Sequence, residues 1–266
     1  MNDWRSYDEV AETYERVHAP RLAAVARDLA AMTEPPTGGI VLDVGSGTGV
    51  AAEAAAALVG EGGSVVGIDP SVGMLVVGHR ARPSLLVAAA SAIDLPFRDQ
   101  TFDAVLGNFV LSHFRKVETA LFDVKRVVKP GGRLGLTSWS DVGDDLQKTW
   151  GELVQTVVPQ EMLEPVWAEA APGHERFARR ENVEQVLIDA GFRHVRTEKR
   201  QYHFQYAQED YLGGLETWAT GRFVREMLGP TGWEEFRARV RTTFAERFAD
   251  PLNDFRDVIF AVAARP

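Results

Sequence analysis

Apolar residues recur at helical spacing from the start of the chain. Tyr7, Val10, Ala11, Tyr14 and Val17 form one set, and Leu22, Val25, Ala26 and Leu29 form a second set just after Pro20. A proline in the first turn of a helix forfeits no hydrogen bond, so the pattern predicts two successive amphipathic helices. The stretch TEPPTGG, residues 33 to 39, breaks them and launches the apolar run IVLDV, which reads as a parallel strand buried on both faces. An alanine-rich helix over 48 to 59 then stops at Gly60, and SVVGID is the next strand. The alternation continues with a helix near 71 to 80, strands near 84 to 89 and 102 to 109, a helix at 116 to 127 and a strand at 132 to 139. Strands alternating with helices predict βαβ units and a mostly parallel, doubly wound α/β sheet.

The rhythm fails from 140 to 180. Asn182, Val183, Val186, Leu187 and Ala190 then mark a helix, with Asn182 as its N-cap and Gly191 as its stop, leading to a strand around 192 to 200. Residues 208 to 248 read as helical, divided at Pro230 and Gly232, and FRDVIFAVAA closes the chain as a seventh strand. The expectation is one domain over residues 1 to 266, with its sheet in 37 to 139, 181 to 206 and 254 to 266. Helical cover segments occupy 1 to 32, 140 to 180 and 207 to 250. Their aromatics, Trp150, Trp167, Tyr211, Trp218, Phe223 and Trp233, suit either a roof over a pocket or simple docking of extra helices on the core.

Composition narrows the function. The 266 residues are 45% hydrophobic and 25% charged, as in an ordinary globular protein. A net charge of -9 argues against general affinity for nucleic acid or anionic membrane and favours a small-molecule partner. Without cysteine there is no thiolate nucleophile, disulfide or Cys-based zinc site, and the six histidines show no i, i+4 pair for a metal. No bound metal is expected. The polar N-terminus lacks a signal-peptide core and no stretch reaches the ~20 apolar residues of a membrane helix, so a cytoplasmic monomer or homodimer is expected.

The candidate chemistry lies in VLDVGSGTGV, residues 41 to 50. Gly45, Gly47 and Gly49 follow the first strand, where an open α/β sheet lets the backbone approach a ligand. The dinucleotide fingerprint has its third glycine one position later, where Val50 stands. Asp43 sharpens the choice. A carboxylate beside a pyrophosphate would cost about 4 kcal/mol at ~4 Å and an effective dielectric of ~20, whereas a phosphate-free cationic nucleoside would be attracted. Asp69, at the end of GID and twenty-four positions after Gly45, is placed to accept from both ribose hydroxyls; alone it reads better as a helix cap, and together with Asp43 and the glycines the ribose role is the better reading.

The segments VLDVGSGTG, VVGIDPSVGML, LPFRDQTFDAV and RVVKPGGRL stand in the order and spacing of the class I S-adenosylmethionine-dependent methyltransferases. The chain most resembles their small-molecule branch, which includes ubiquinone and menaquinone biosynthetic enzymes. YDEVAETYE, at 7 to 15, is similar to that branch's N-terminal cover helix. The resemblance implies a Rossmann-like fold and S-adenosylmethionine as cofactor. It also implies that Asp43, Gly45, Ser46, Gly47 and Thr48 border the methionine part, that Asp69 holds the ribose, and that Pro70 and Met74 flank the adenine. Asn108 and Phe109 would line the sulfonium region, and Tyr14 would close over the cofactor from the cover helix. The acid that the family often directs at the adenine amine is replaced here by Ser91 and Ala92, so that contact passes to a hydroxyl, a backbone group or nothing.

Methyl transfer needs alignment of nucleophile, methyl and sulfur, and it needs a base only when the acceptor must lose a proton. His113, just past the fourth strand, is the candidate base, against the plainer alternative of a structural histidine. The expected reaction moves a methyl to O, N or C of a small aromatic or apolar molecule. The competing function is a protein that binds the cofactor for other chemistry, such as cyclisation or decarboxylation, or for regulation. Base amino-methylation of nucleic acid is disfavoured because Asn108 is followed by Phe109 and Val110, and nicotinamide chemistry is disfavoured by Asp43 and Val50.

Overall fold

The computed structural model describes residues 6–140 and 144–266, so the first five residues of the expected cover and residues 141–143 lie outside the described residues. Seven strands form one sheet in the order β3-β2-β1-β4-β5-β7-β6. Strand β1 (Ile40–Val44) pairs parallel with β2 (Ser64–Asp69) on one side and β4 (Phe102–Gly107) on the other. Strands β3 (Leu86–Ala89) and β5 (Val128–Trp139) extend the parallel part outward. Strand β7 (Leu252–Ala264) then inserts antiparallel between β5 and β6 (Arg193–Tyr206). The strand order reverses at β1, which opens a crevice beyond its carboxyl end.

Alternate residues of the central strands feed opposite faces. Val41, Ala104, Leu106, Val258 and Phe260 pack under helices α1 (Ala11–Thr33) and α2 (Val50–Val59). Leu42, Val44, Val105, Leu134 and Ile259 pack against α4 (Val117–Val127) and α8 (Arg180–Asp189). Between them in sequence come α3 (Val72–Ala81), α5 (Asp145–Gln155), α6 (Gln160–Ala170) and the short α7 (His174–Phe177), followed after β6 by α9 (Gln208–Leu215) and α10 (Ala219–Arg247). Edge strand β6 carries Arg, Lys, His and Gln along its exposed positions, which discourages pairing with another chain.

Four expectations need correction. The two leading helices are one, and Pro20 sits inside α1. A mid-helix proline forfeits one backbone hydrogen bond. Here Pro20 points to solvent while Val17, Leu22, Val25, Ala26 and Leu29 bury a continuous stripe, and that burial overrides the break. Asn182 is not the N-cap of α8: the cap position is Arg179, and the Asn182 side chain donates instead to the Arg176 carbonyl at 2.7 Å, tying α8 to α7. The predicted strand over 102 to 109 ends at Gly107, because Phe109 adopts φ +58°. The division expected at Pro230 falls on Gly229, whose φ of 66° and ψ of -179° kink α10 just ahead of the proline.

Candidate functional site

The chain leaves β1 through a turn that only glycines fit. Gly45, Gly47 and Gly49 have φ of +68°, +54° and +96°. A Cβ on Gly45 would lie 2.4 Å from the Val110 side chain. The turn is pinned from β2, because Asp69 accepts from the Gly47 amide at 2.9 Å and from the Ser71 amide at 2.8 Å. These bonds use two of roughly four lone-pair sites on the carboxylate, leaving capacity for a pair of hydroxyl donors.

At the mouth lies a pocket of about 320 Å³, partly open to solvent, lined by Tyr14, Asp43, the segment from Gly45 to Thr48, and Asn108, together with Leu22, Val50 and Ala51. Asp43 is fully buried, and neither of its oxygens makes a hydrogen bond of ordinary geometry. Burial pushes its carboxyl up to about 8, the Ala52 amide at the open first turn of α2 pulls weakly the other way, and the Asp69 charge adds to the rise. The Ser46 and Thr48 hydroxyls beside it are likewise buried without partners. Such orphaned groups are costly, about 1–3 kcal/mol each, unless a ligand satisfies them. An ammonium brings three donors and a positive charge, so the residues present fit the methionine end of S-adenosylmethionine. A diphosphate brings neither.

The cover helix is fastened over this pocket by polar ties. Asp8 accepts from the Ser71 hydroxyl and the Gly73 amide, both at 2.7 Å. Arg82 joins Glu15 of α1 at 2.8 Å, Glu53 of α2 at 2.8 Å and the Thr48 carbonyl at 3.1 Å. Tyr14 is thereby held at the pocket, edge-on to Tyr7 with ring centroids 6.4 Å apart, and burial drives its phenol well above the usual range. Neither Asp8 nor Arg82 was visible as a site residue in the sequence. The signal was present only as complementary charges on segments whose contact depends on the fold.

The remaining predicted residues are spread around the rim. Met74 is buried under the turn, its methyl 3.2 Å from where a Gly47 Cβ would be, and packs with Ala11 and Val77. Pro70 is exposed at the start of α3. Ser91 is exposed with its hydroxyl accepting from the Ile93 amide at 3.2 Å, and Ala92 packs toward the lower core. Asn108 faces the pocket and accepts from the Thr137 hydroxyl at 2.7 Å, while that hydroxyl accepts from the Phe109 amide at 2.9 Å. The Phe109 ring stacks on Trp139, centroids 4.0 Å apart.

His113 does not line the pocket. Its Nδ1 sits 2.8 Å from the Ala170 carbonyl, which makes Nδ1–H the donor and leaves Nε2 available to take a proton. The residue is exposed, and the protein packed around its ring, opposed by that carbonyl and assisted by the nearby His174 and Arg222, holds the imidazole below its usual value. Its ring meets the Tyr7 edge at 6.4 Å. Of the cover aromatics, Trp150, Tyr211 and Trp233 are core residues. Trp167 is exposed and donates to Thr220 at 3.0 Å. Among the described residues no group of three or more His, Asp or Glu could hold a metal, and no helix is long and apolar enough to cross a membrane.

A model of the methyltransferase domain matches residues 42–136, the stretch from β1 to β5. A demethylmenaquinone methyltransferase of Clavibacter sepedonicus is 32% identical over 174 residues, covering 62% of this chain and 69% of that protein. Another, from Renibacterium salmoninarum, is 44% identical over 100 residues, covering 38% of this chain and 41% of its own. For several such relatives the chain spans about half their length, from 41% to 59%. In fold, the Haemonchus contortus phosphoethanolamine N-methyltransferase 2, solved with S-adenosyl-L-methionine, matches with a TM-score of 0.57 and 18% identity over 100% of this chain and 60% of that one. The glycine turn, its buried acid and these likenesses agree, and the chain belongs to the class I S-adenosylmethionine-dependent methyltransferases, similar to the quinone-biosynthesis enzymes.

Proposed function

We propose that the protein moves the methyl group of S-adenosylmethionine to an O, N or C atom of a small aromatic or apolar molecule by direct displacement. The observation that carries this is the set of orphaned polar atoms at the β1 tip: the Asp43 carboxyl favours a cation and disfavours a phosphate, and the Ser46 and Thr48 hydroxyls offer further acceptors beside it. In this reading Asp43 and the Gly45 to Thr48 turn hold the methionine part, and Asp69 holds the ribose. Pro70, Met74, Ser91 and Ala92 border the adenine, Asn108 and Phe109 sit by the sulfonium, and Tyr14 closes the site. The group supplies an electrophilic methyl on a good leaving sulfur, and the chain supplies position and a dry, oriented surround. A net charge of -9 and the absence of cysteine support a cytoplasmic setting without nucleic-acid partners.

The test is release of S-adenosylhomocysteine when the protein is given S-adenosylmethionine and a panel of phenolic and polyketide-like acceptors. Turnover with at least one acceptor is expected. Tight cofactor binding with no release from any acceptor would leave a binding protein or a different chemistry in its place.

His113 is proposed to take the proton of a neutral acceptor at Nε2. Replacing it with alanine is expected to lower kcat by about a hundredfold, the low end of general-base contributions, with cofactor Kd within about twofold of the parent. Unchanged turnover at saturating acceptor would remove it from the mechanism.

A further inference from the structure

Strands β4 and β5 make their last ladder pair at Gly107 and Leu136. One position further the ladder stops, and the Thr137 side chain takes its place. Its hydroxyl accepts from the Phe109 amide at 2.9 Å and lies 2.7 Å from Asn108 Oδ1. Thr137 is 1% exposed, so solvent does not reach it. A hydroxyl has one hydrogen, and with the Phe109 N–H on its oxygen that hydrogen goes to Asn108 Oδ1. An amide turned the other way would present Nδ2 to the hydroxyl and strand a buried O–H donor, a penalty of about 1–3 kcal/mol. The same hydroxyl helps hold Phe109 at φ +58°, a conformation a phenylalanine rarely adopts.

The result is a fixed polarity at the tip of β4. Asn108 lines the cofactor pocket with its oxygen engaged by Thr137, and among the described residues nothing accepts from its Nδ2 hydrogens. The pocket therefore has Asp43, Ser46 and Thr48 to receive a cation and one oriented donor pair at Asn108. The reading above seats the sulfonium beside Asn108. A donor pair gains nothing from a sulfonium or its methyl, which are both electron-poor. It suits the atom that brings electrons to that methyl. A neutral hydroxyl oxygen has two lone pairs, one to form the new bond and one to accept from Nδ2. A neutral amine nitrogen has a single lone pair, which the displacement consumes, and its N–H groups would face Nδ2 donor against donor.

We propose that Thr137 is a positioning residue that sets the class of acceptor: by holding Asn108 with Nδ2 toward the pocket, it favours an oxygen nucleophile, such as a phenol or an enol, over an amine. This rests on the methyl-transfer reading above and narrows its acceptor atoms to oxygen, or to a carbon conjugated to that oxygen. In the transfer a lone pair of the oxygen forms the bond to the methyl carbon. The carbon–sulfur bond breaks with its electron pair left on sulfur, and the hydroxyl proton leaves to the base, for which His113 is proposed. When the conjugated carbon forms the bond, the oxygen stays on Nδ2 and loses the same proton.

The probes are 1-naphthol and 1-naphthylamine, one ring carrying the two groups in turn. Equilibrium dialysis against the protein, with and without S-adenosylhomocysteine, measures the binding of each. The naphthol is expected to bind the wild-type complex at least about tenfold more tightly than the amine. Thr137→Val keeps the shape of the side chain without its hydroxyl and should reduce that ratio by about fivefold or more, whereas Thr137→Ser should retain it. S-adenosylhomocysteine affinity should stay within about twofold of wild type in both variants. Equal binding of the two probes, no binding of either, a ratio that survives Thr137→Val, or a serine variant that behaves like the valine one would overturn the proposal. The wild-type ratio decides the question alone if the valine variant does not fold. Failure of S-adenosylhomocysteine to bind, with the naphthol preference intact in the free protein, would instead strike the methyl-transfer reading and leave the oriented amide as an oxygen-selecting site.

Discussion

Replacing Asp43 with asparagine is expected to raise the thermal stability of the unliganded protein while weakening S-adenosylmethionine binding by a hundredfold or more. Both effects come from one buried, unpartnered carboxyl whose burial pushes it up to about 8. An unfolded aspartate titrates near 3.9. The folded chain therefore holds the extra proton, and the sign follows: this group's contribution is fully present below about pH 4 and is lost as pH rises toward 8. Each unit in that window costs about 1.4 kcal/mol, so the deficit near neutral pH is of order 4 kcal/mol before relaxation. Asparagine carries no such term but brings its own amide without partners, a penalty of about 1–3 kcal/mol, so the net gain should be about 1–3 kcal/mol near neutrality and turn into a loss of similar size at about pH 4.

His18 gives the curve its shape. Its ring is buried against Thr217 at 2.9 Å, and burial with the Arg21 charge lowers it to about 3. Its stability is present above about pH 6.5 and is lost as pH falls toward 3, opposite in sign to Asp43. Between about pH 4 and 6.5 the two slopes oppose, so the parent should show a flat Tm there, whereas Asp43→Asn should fall with acidification. On the binding side, a cation about 4 Å from a carboxylate at an effective dielectric of ~20 gains about 4 kcal/mol, a thousandfold before the cost of driving the proton off Asp43. Calorimetry of both proteins across this range, with and without S-adenosylmethionine, reads all of it. Undiminished cofactor affinity in the variant would contradict the electrostatic account of the pocket.

What could be read from the chain alone follows from the range of the forces involved. The glycine turn was legible because its backbone angles demand glycine at fixed offsets, and Asp43 and Asp69 were legible because they end strands that flank it. Pro20 was misread because local geometry was judged without the stripe of Val17, Leu22, Val25 and Leu29, whose burial on the sheet decides the helix. Phe109 was placed by the sulfonium, and no rule of strand propensity foresees a phenylalanine at φ +58° held by Thr137 and stacked on Trp139. The buried cluster of Arg21, Asp254 and Arg256 was invisible in sequence. It joins Arg21 to Asp254 and Arg256 across nearly the whole chain, and only the antiparallel insertion of β7 between β5 and β6 brings them together.

The second large effect is expected at a glycine that the turn signals did not single out. Gly78 lies in the interior of α3, where alanine would ordinarily stabilise by about 0.5–1 kcal/mol. A Cβ there would stand 2.6 Å from the Thr48 carbonyl oxygen and 2.8 Å from two further backbone atoms of the same residue. No rotamer change relieves contacts with backbone, so either α3 or the glycine turn must shift. The turn is the part with less to hold it, and shifting it disturbs the Gly47 amide on Asp69 and the Thr48 carbonyl on Arg82 together. Overpacking of this kind costs about 1–3 kcal/mol, so Gly78→Ala should lower stability by about 1–2 kcal/mol net and weaken S-adenosylmethionine binding at least about tenfold. Gly151 provides the control, since it lies in α5 and a Cβ there meets nothing within 4 Å. Gly151→Ala should raise stability by about 0.5–1 kcal/mol and leave cofactor affinity alone. If the two alanine variants behaved alike, close packing of α3 on the turn would not be what shapes the cofactor pocket.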